Sequence, residues 1–170
     1  KPQKSHPAHC DPDWPIDFIL GDALDYVASH GWKYDLIHAS PPCQAYSRAT
    51  AWRGDRSNHP DLIDAVREVL IFTGRTYIIE NVQEARGKLR SPIMLCGSMF
   101  GMPIRRHRYF EISVPFQGVL PACKHSYFDY SHDHGKKQTE SQYRDAMGVP
   151  WMSCHEARQC VPPAYTRFLG

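Results

Sequence analysis

"DLIHASPPCQAYS", residues Asp35 to Ser47, decides how the chain is read. An apolar run containing the β-branched Ile37 stops at two prolines, and a cysteine follows, with small and polar side chains after it. The run has the composition of a strand. Each proline fixes φ at about −65°, so the backbone is stiffest just before the thiol of Cys43. A thiol held on a rigid turn at a strand end is suited to nucleophilic attack.

Working outward from this turn, strands and helices alternate. "IDFILGDAL" (Ile16 to Leu24) reads as a strand closed by Gly21, with Asp22 just beyond its end, and "DALDYVASHG" as a helix stopped at Gly31. Gln44 to Pro60 is rich in polar, Gly and Arg residues and predicts a long surface loop. "PDLIDAVREVLIFTG" (Pro60 to Gly74) has apolar residues at 62, 63, 66, 69 and 70, the pattern of an amphipathic helix. "TYIIENV" predicts a strand from Thr76 to about Asn81, "SPIMLCGSMFG" a short helix capped by Ser91 with Pro92 at its first position, and "RRHRYFEISV" a fourth strand. The alternation implies an α/β fold on a parallel sheet, with ligands at the carboxyl ends of the strands.

After Val114 the periodicity fades into an irregular, aromatic- and His-rich insert. Order returns in "YRDAMGVPWMSCHEARQCVPPAYTRFLG" as two short helices, the second starting at Pro162 or Pro163. The expected organisation is a partial catalytic core over residues 1–112, a small recognition-like insert over 113–142, and C-terminal helices over 143–170 that return to the core.

The chain has 170 residues, 42% hydrophobic and 22% charged, ordinary for one globular domain with a core of its own. A net charge of +2 excludes a uniformly basic nucleic-acid clamp, although "RRHR" (Arg105 to Arg108) and "GKK" (Gly135 to Lys137) concentrate positive charge locally. No apolar run approaches the roughly 20 residues of a membrane span, and "KPQKSHPAHC" lacks the apolar stretch of a signal peptide. A cytoplasmic location is the expectation. The six cysteines, at 10, 43, 96, 123, 154 and 160, form no C-x-x-C pair, so reduced thiols are expected and at most one needs a special role.

Three strand ends bring Asp22, Cys43 and Glu80 to one edge of such a sheet. In the fourth strand, Arg106 and Arg108 alternate with His107 and so are expected on one face. A carboxylate ending an apolar strand tends toward a raised pKa and proton donation, and nearby arginines favour a thiolate.

These segments resemble the cytosine-5 DNA methyltransferases. The family's catalytic motif IV matches "SPPCQAYS" (Ser40 to Ser47), motif VI "ENV" (Glu80 to Val82), motif VIII "RRHR" with R-x-R on Arg106 and Arg108, and motif X "QCVPPAYTRFLG" (Gln159 to Gly170). "GDAL" (Gly21 to Leu24) is similar to motif III. The resemblance covers Ile16 to Ile112 and roughly the last 28 residues, and points to compact phage-type members. It implies a Rossmann-like, S-adenosylmethionine-dependent methyltransferase sheet. Cys43 would attack carbon 6 of a cytosine flipped out of double-stranded DNA, and Glu80 would bind the exocyclic amine and ring nitrogen 3. Arg106 and Arg108 would contact the base oxygen. Asp22 would bind the cofactor's adenine, and Pro41 and Val161 would line its pocket. The family setting further implies a monomer in a bacterial or phage-infected cell, with a restriction-modification context.

The family's glycine-rich first motif, F-x-G-x-G, is not found ahead of Ile16. A further βαβ unit of about 30 residues is therefore expected upstream, and "DLIHAS" is expected at an exposed sheet edge. Ile104 stands where the family places Gln. Within the insert, Cys123, His125, His132 and His134 invite a zinc reading, but C-x-H and H-x-H are not a standard finger spacing, and a solvated loop with no metal is expected. Two other functions remain open. One is an amino-group DNA methyltransferase, in which an aromatic residue would occupy the position of Cys43. The other is a catalytically incomplete or DNA-binding fragment.

Overall fold

The computed structural model describes residues 17, 19–125 and 139–170. Two compact units are present: one contains Gly21–Met94 and His107–Val119, the other Leu95–Arg106 and the described parts of Lys1–Leu20 and Leu120–Gly170. Within this division Leu95–Arg106 groups with the C-terminal helices. Among the described residues, no helix is long and apolar enough to cross a membrane.

The first unit is built on a four-stranded sheet ordered β1-β2-β4-β3, with β1 Leu36–Ala39, β2 Thr76–Asn81, β3 Ile93–Leu95 and β4 Arg108–Ile112. β1 and β2 run parallel, joined through α2 (Arg48–Arg53) and α3 (Ile63–Phe72), which makes a βαβ crossover of the kind that builds Rossmann-like α/β sheets. β4 is antiparallel to β2, so the sheet is mixed rather than parallel. β2 is central and buried from Tyr77 to Asn81, which explains its continuous apolar sequence. β1, at the edge, is only half covered, with Leu36 41% exposed.

α1 (Ala23–His30) begins at Asp22, whose Oδ1 accepts the backbone N–H groups of Leu24 at 2.8 Å and Asp25 at 3.1 Å. Val27 of α1 and Ile63 and Leu70 of α3 pack with Ile37, Tyr77, Ile79, Ala85 and Leu89 into this unit's core. Arg67, on the buried face of α3, forms a two-pronged ion pair with Glu111 of β4, both contacts at 2.8 Å. Glu111 also accepts from the Arg90 N–H at 2.8 Å and the Tyr77 hydroxyl at 3.3 Å. Burial pushes the Glu111 carboxyl up, but these donors outweigh it and leave the group below the ordinary carboxylate range.

Several expectations are corrected. The described residues of the anticipated first strand, Asp17, Ile19 and Leu20, lie outside the sheet and are exposed; β1 pairs only with β2, and an extended segment without a neighbour has no ladder to join. The Gln44–Pro60 loop contains α2 and a short 3₁₀ turn at Arg56–Asn58, since "RATA" is rich in strong helix formers. Ser91 has φ of 43°, incompatible with the extended backbone of an N-cap; Ile93–Leu95 is consequently a strand, followed by a 3₁₀ turn at Gly97–Phe100.

The second unit carries three C-terminal helices where two were expected: α4 (Glu140–Ala146), α5 (Cys154–Gln159) and α6 (Pro163–Leu169). Gly148, at φ of 72°, turns the chain out of α4. Ser153 and Glu156 then form a capping box that starts α5 independently. Ile104, Tyr143, Ala146, Met147, Val149, Met152 and Ala157 make this unit's core. Burial of Ile104 accounts for an apolar side chain at a position where Gln was the comparison.

Candidate active site

The site is assembled at the carboxyl end of β1 and β2, where β4 begins. Ala39 pairs with Ile79, so the chain leaving β1 as Ser40–Pro41 passes the end of β2. There Asn81, 1% exposed, donates from Nδ2 to the carbonyl oxygen of Pro41 at 3.0 Å, and its Oδ1 accepts the Val82 N–H at 2.9 Å. This buried amide ties the two-proline turn to the central strand. Immediately beyond, the Cys43 carbonyl oxygen accepts the N–H groups of Tyr46 at 3.0 Å and Ser47 at 2.9 Å. The thiol-bearing residue is thus fixed on both sides, with its side chain partly accessible.

Glu80 is aligned with Phe110 across the β2–β4 pair. Arg108, two residues before Phe110, lies on the same face and diagonally opposite Glu80. Its Nε stands 3.0 Å from Glu80 Oε1, with both side chains largely buried, and its Nη1 donates to the His107 carbonyl at 2.8 Å. A carboxylate and guanidinium held together in this manner are mutually oriented and charge-compensated. Cys43, Glu80, Arg108, Asp22 and Pro41 all belong to the sheet unit.

Arg106 departs from the expected pairing with Arg108. Strand alternation applies only from Arg108 onward, since β4 begins there. Arg106 instead belongs to the unit of the C-terminal helices, where Nη2 donates to the carbonyls of Arg158 at 2.8 Å and Cys160 at 2.6 Å, and Nη1 to the Tyr143 hydroxyl at 3.2 Å. The Tyr165 hydroxyl donates back to the Arg106 carbonyl at 2.5 Å. A guanidinium buried on the last carbonyls of α5 acts as a structural clasp, so the structure does not bring Arg106 together with Arg108 on one strand face. Val161 is half-buried in the same unit, in the link between α5 and α6.

Asp22 performs a capping task that its expected cofactor role did not foresee. The cap uses Oδ1, so Oδ2 lies outside these two bonds on an exposed residue. Asn81 is the functional residue that pattern reading missed. It was visible only as the middle letter of "ENV", and its importance comes from a contact 40 residues away in sequence. No disulfide joins the described cysteines. Of the residues considered for zinc, Cys123 and His125 approach each other and Cys96, whereas His132, His134 and the "GKK" block lie outside the described residues.

No family model matches the chain, and no curated protein matches it. Among solved structures, a methyltransferase of Entamoeba histolytica, EhMeth, is similar at 18% identity and a TM-score of 0.43, over 73% of this chain and 46% of that one. The chain therefore spans about half the length of that neighbour.

Proposed function

We propose that the chain carries the catalytic centre of an S-adenosylmethionine-dependent methyltransferase that modifies carbon 5 of cytosine in DNA. The single observation that carries this reading is the combination of a cysteine on the turn tied down by Asn81 with the buried Glu80–Arg108 pair, in one unit. A lone thiol nucleophile needs neither partner. Addition to a pyrimidine needs both, because electron density displaced from the attacked carbon must be received at the ring nitrogen and carbonyl.

In the proposed reaction, the Cys43 thiolate bonds to carbon 6. The carbon 5–carbon 6 double bond breaks, and its electron pair leaves carbon 5 nucleophilic. Glu80 accepts a hydrogen bond from the exocyclic amine and shares a proton with ring nitrogen 3. Arg108, oriented by its bond to Glu80, donates to the base oxygen, so charge developing there meets a preformed partner. The cofactor, when bound, would supply its sulfonium methyl group to carbon 5, the methyl–sulfur bond breaking so that a neutral thioether leaves. A base then removes the carbon 5 proton, and the carbon 6–sulfur bond breaks to restore the aromatic ring and the thiolate.

On the cofactor side, Asp22 fits an adenine amine because Oδ2 lies outside the helix-capping bonds. Pro41 supplies a buried apolar wall next to the turn. The α2 segment that follows Cys43 is anchored to the unit by an exposed Arg48–Glu84 ion pair at 2.9 Å. An exposed pair of this kind contributes at most about 1 kcal/mol, which suits a segment that must yield to an incoming flipped base.

The test is transfer of a radiolabelled methyl group to duplex DNA, followed by nucleoside analysis. Label in 5-methylcytosine, lost in C43S, is the expected outcome. Label in an exocyclic amine would transfer the reading to amino-group methylation. Absence of labelled nucleoside with folded protein would leave a DNA-binding or incomplete fragment.

A further inference from the structure

We propose that Cys96, Cys123 and His125 form a binding site for one zinc ion. All three belong to the unit of the C-terminal helices, and the site is independent of the proposed methyl-transfer chemistry. The Cys96 and Cys123 sulfurs lie 3.2 and 3.0 Å from His125 Nε2, and the three donor atoms are within 4.8 Å of one another. Two sulfurs and an imidazole are the donor set zinc prefers. In a tetrahedral site, bonds of about 2.3 Å to sulfur and 2.0 Å to nitrogen set sulfur–nitrogen separations of about 3.6 Å. Each contact therefore needs to open by only about half an ångström to admit the ion.

The surroundings of the three donors are organised as well. Cys96 is fully buried. The turn after it is pressed against Ile104: a Cβ on Gly97 would stand 2.5 Å from the Ile104 carbonyl oxygen. The residue that follows Cys96 is therefore closely packed on Ile104. The Ser98 hydroxyl approaches both sulfurs, at 3.5 Å from Cys96 and 3.7 Å from Cys123, and can donate to one of them. Donation from just outside the ligand set is how metal-binding thiolates are commonly stabilised.

His125 is exposed and Cys123 partly so, which leaves a route of entry for the ion. Binding displaces the two thiol protons: the zinc ion exchanges with two S–H groups, forming two zinc–thiolate bonds and releasing two protons. Three side chains leave the fourth position to water or a further donor. The bound ion would fasten the Leu120–His125 segment, which has no helix or strand of its own, to the 3₁₀ turn at Gly97–Phe100.

The experiment measures metal content by elemental analysis of the untagged 170-residue chain after zinc reconstitution and gel filtration. The expected result is about one zinc per chain, falling below about a tenth in C123A and in H125A. H132A/H134A should retain its zinc. Cys123 and His125 are on the rim, so their variants are checked for native circular dichroism, whereas C96S alters a fully buried residue. S98A should bind zinc about ten- to a hundredfold more weakly in chelator competition. Cobalt substitution should produce a thiolate charge-transfer band that C123A diminishes. The proposal is overturned by a metal-free chain after reconstitution, by zinc that persists in C123A and H125A but leaves H132A/H134A, or by a Cys96–Cys123 disulfide in the purified protein.

Discussion

Replacing Asn81 separates holding the fold together from holding the thiol in place. In N81D the acceptor for the Val82 N–H is kept, but the donor to the Pro41 carbonyl is exchanged for an oxygen that repels it. That carbonyl is buried and loses its bond, at a cost of about 1–3 kcal/mol. A domain of this size has about 5–15 kcal/mol in hand, so even the largest loss from the lowest stability leaves about 2 kcal/mol and more than about 95% of the molecules folded. Loss of folded protein then removes almost no activity. Loss of position does much more: the turn carrying Cys43 is released from β2, and a misplacement of about 1 Å costs about a hundredfold in rate. N81D is therefore expected to lower the urea midpoint modestly while reducing kcat/KM for methyl transfer about a hundredfold, mainly through kcat. Urea unfolding and steady-state kinetics on the same preparation provide the comparison. A variant destabilised by the expected amount but within about threefold of wild-type activity would refute the positioning argument.

Other outcomes follow from the same contacts. R67M leaves the buried Glu111 carboxylate without its counterion and should lose about 3–5 kcal/mol, whereas R67M/E111L should recover only part of it in urea unfolding, because the Arg90 N–H and the Tyr77 hydroxyl then lose their acceptor; equal stability of R67M and wild type would contradict the account. Because the Glu111 carboxyl is held below its unfolded value, its contribution is full above the ordinary carboxylate range and is lost as pH falls through the folded value. Unfolding midpoints should therefore decline more steeply on acidification in wild type than in E111Q, and parallel profiles would remove Glu111 as the source. R106M should destabilise the C-terminal helices by at least about 2 kcal/mol, with R106K only partly restoring them, because one ammonium cannot reproduce the fork across two carbonyls and Tyr143. Hydrogen exchange in α5 is the readout, and unchanged protection would refute the clasp.

Sequence pattern reached the elements whose apolar spacing is undisturbed. β2 matches the expected Thr76–Asn81 run, and α3 falls inside Pro60–Gly74, its start trimmed to Ile63. Pattern failed where a local signal has two structural meanings. Ser91–Pro92 resembles a helix start, yet Ser91 sits in a left-handed conformation and the chain extends to pair with β4. Arg106 and Arg108 share a parity that has meaning only inside a strand, and β4 starts between them. Long-range polar contacts were illegible for a different reason: Asn81 with Pro41, Arg67 with Glu111, and Cys96 with His125 are joined by folding across tens of residues. Glu80 and Arg108, by contrast, were legible as motif residues, and the register of β2 and β4 explains why they meet.

The most direct measurement is mass spectrometry of the protein incubated with S-adenosylmethionine and duplex DNA containing 5-fluorocytosine. Fluorine at carbon 5 blocks the last proton removal and prevents release of the enzyme. A covalent protein–DNA adduct on the peptide containing Cys43, absent in C43S, is predicted; folded wild-type protein that forms no adduct, or forms it at another cysteine, would contradict the central claim.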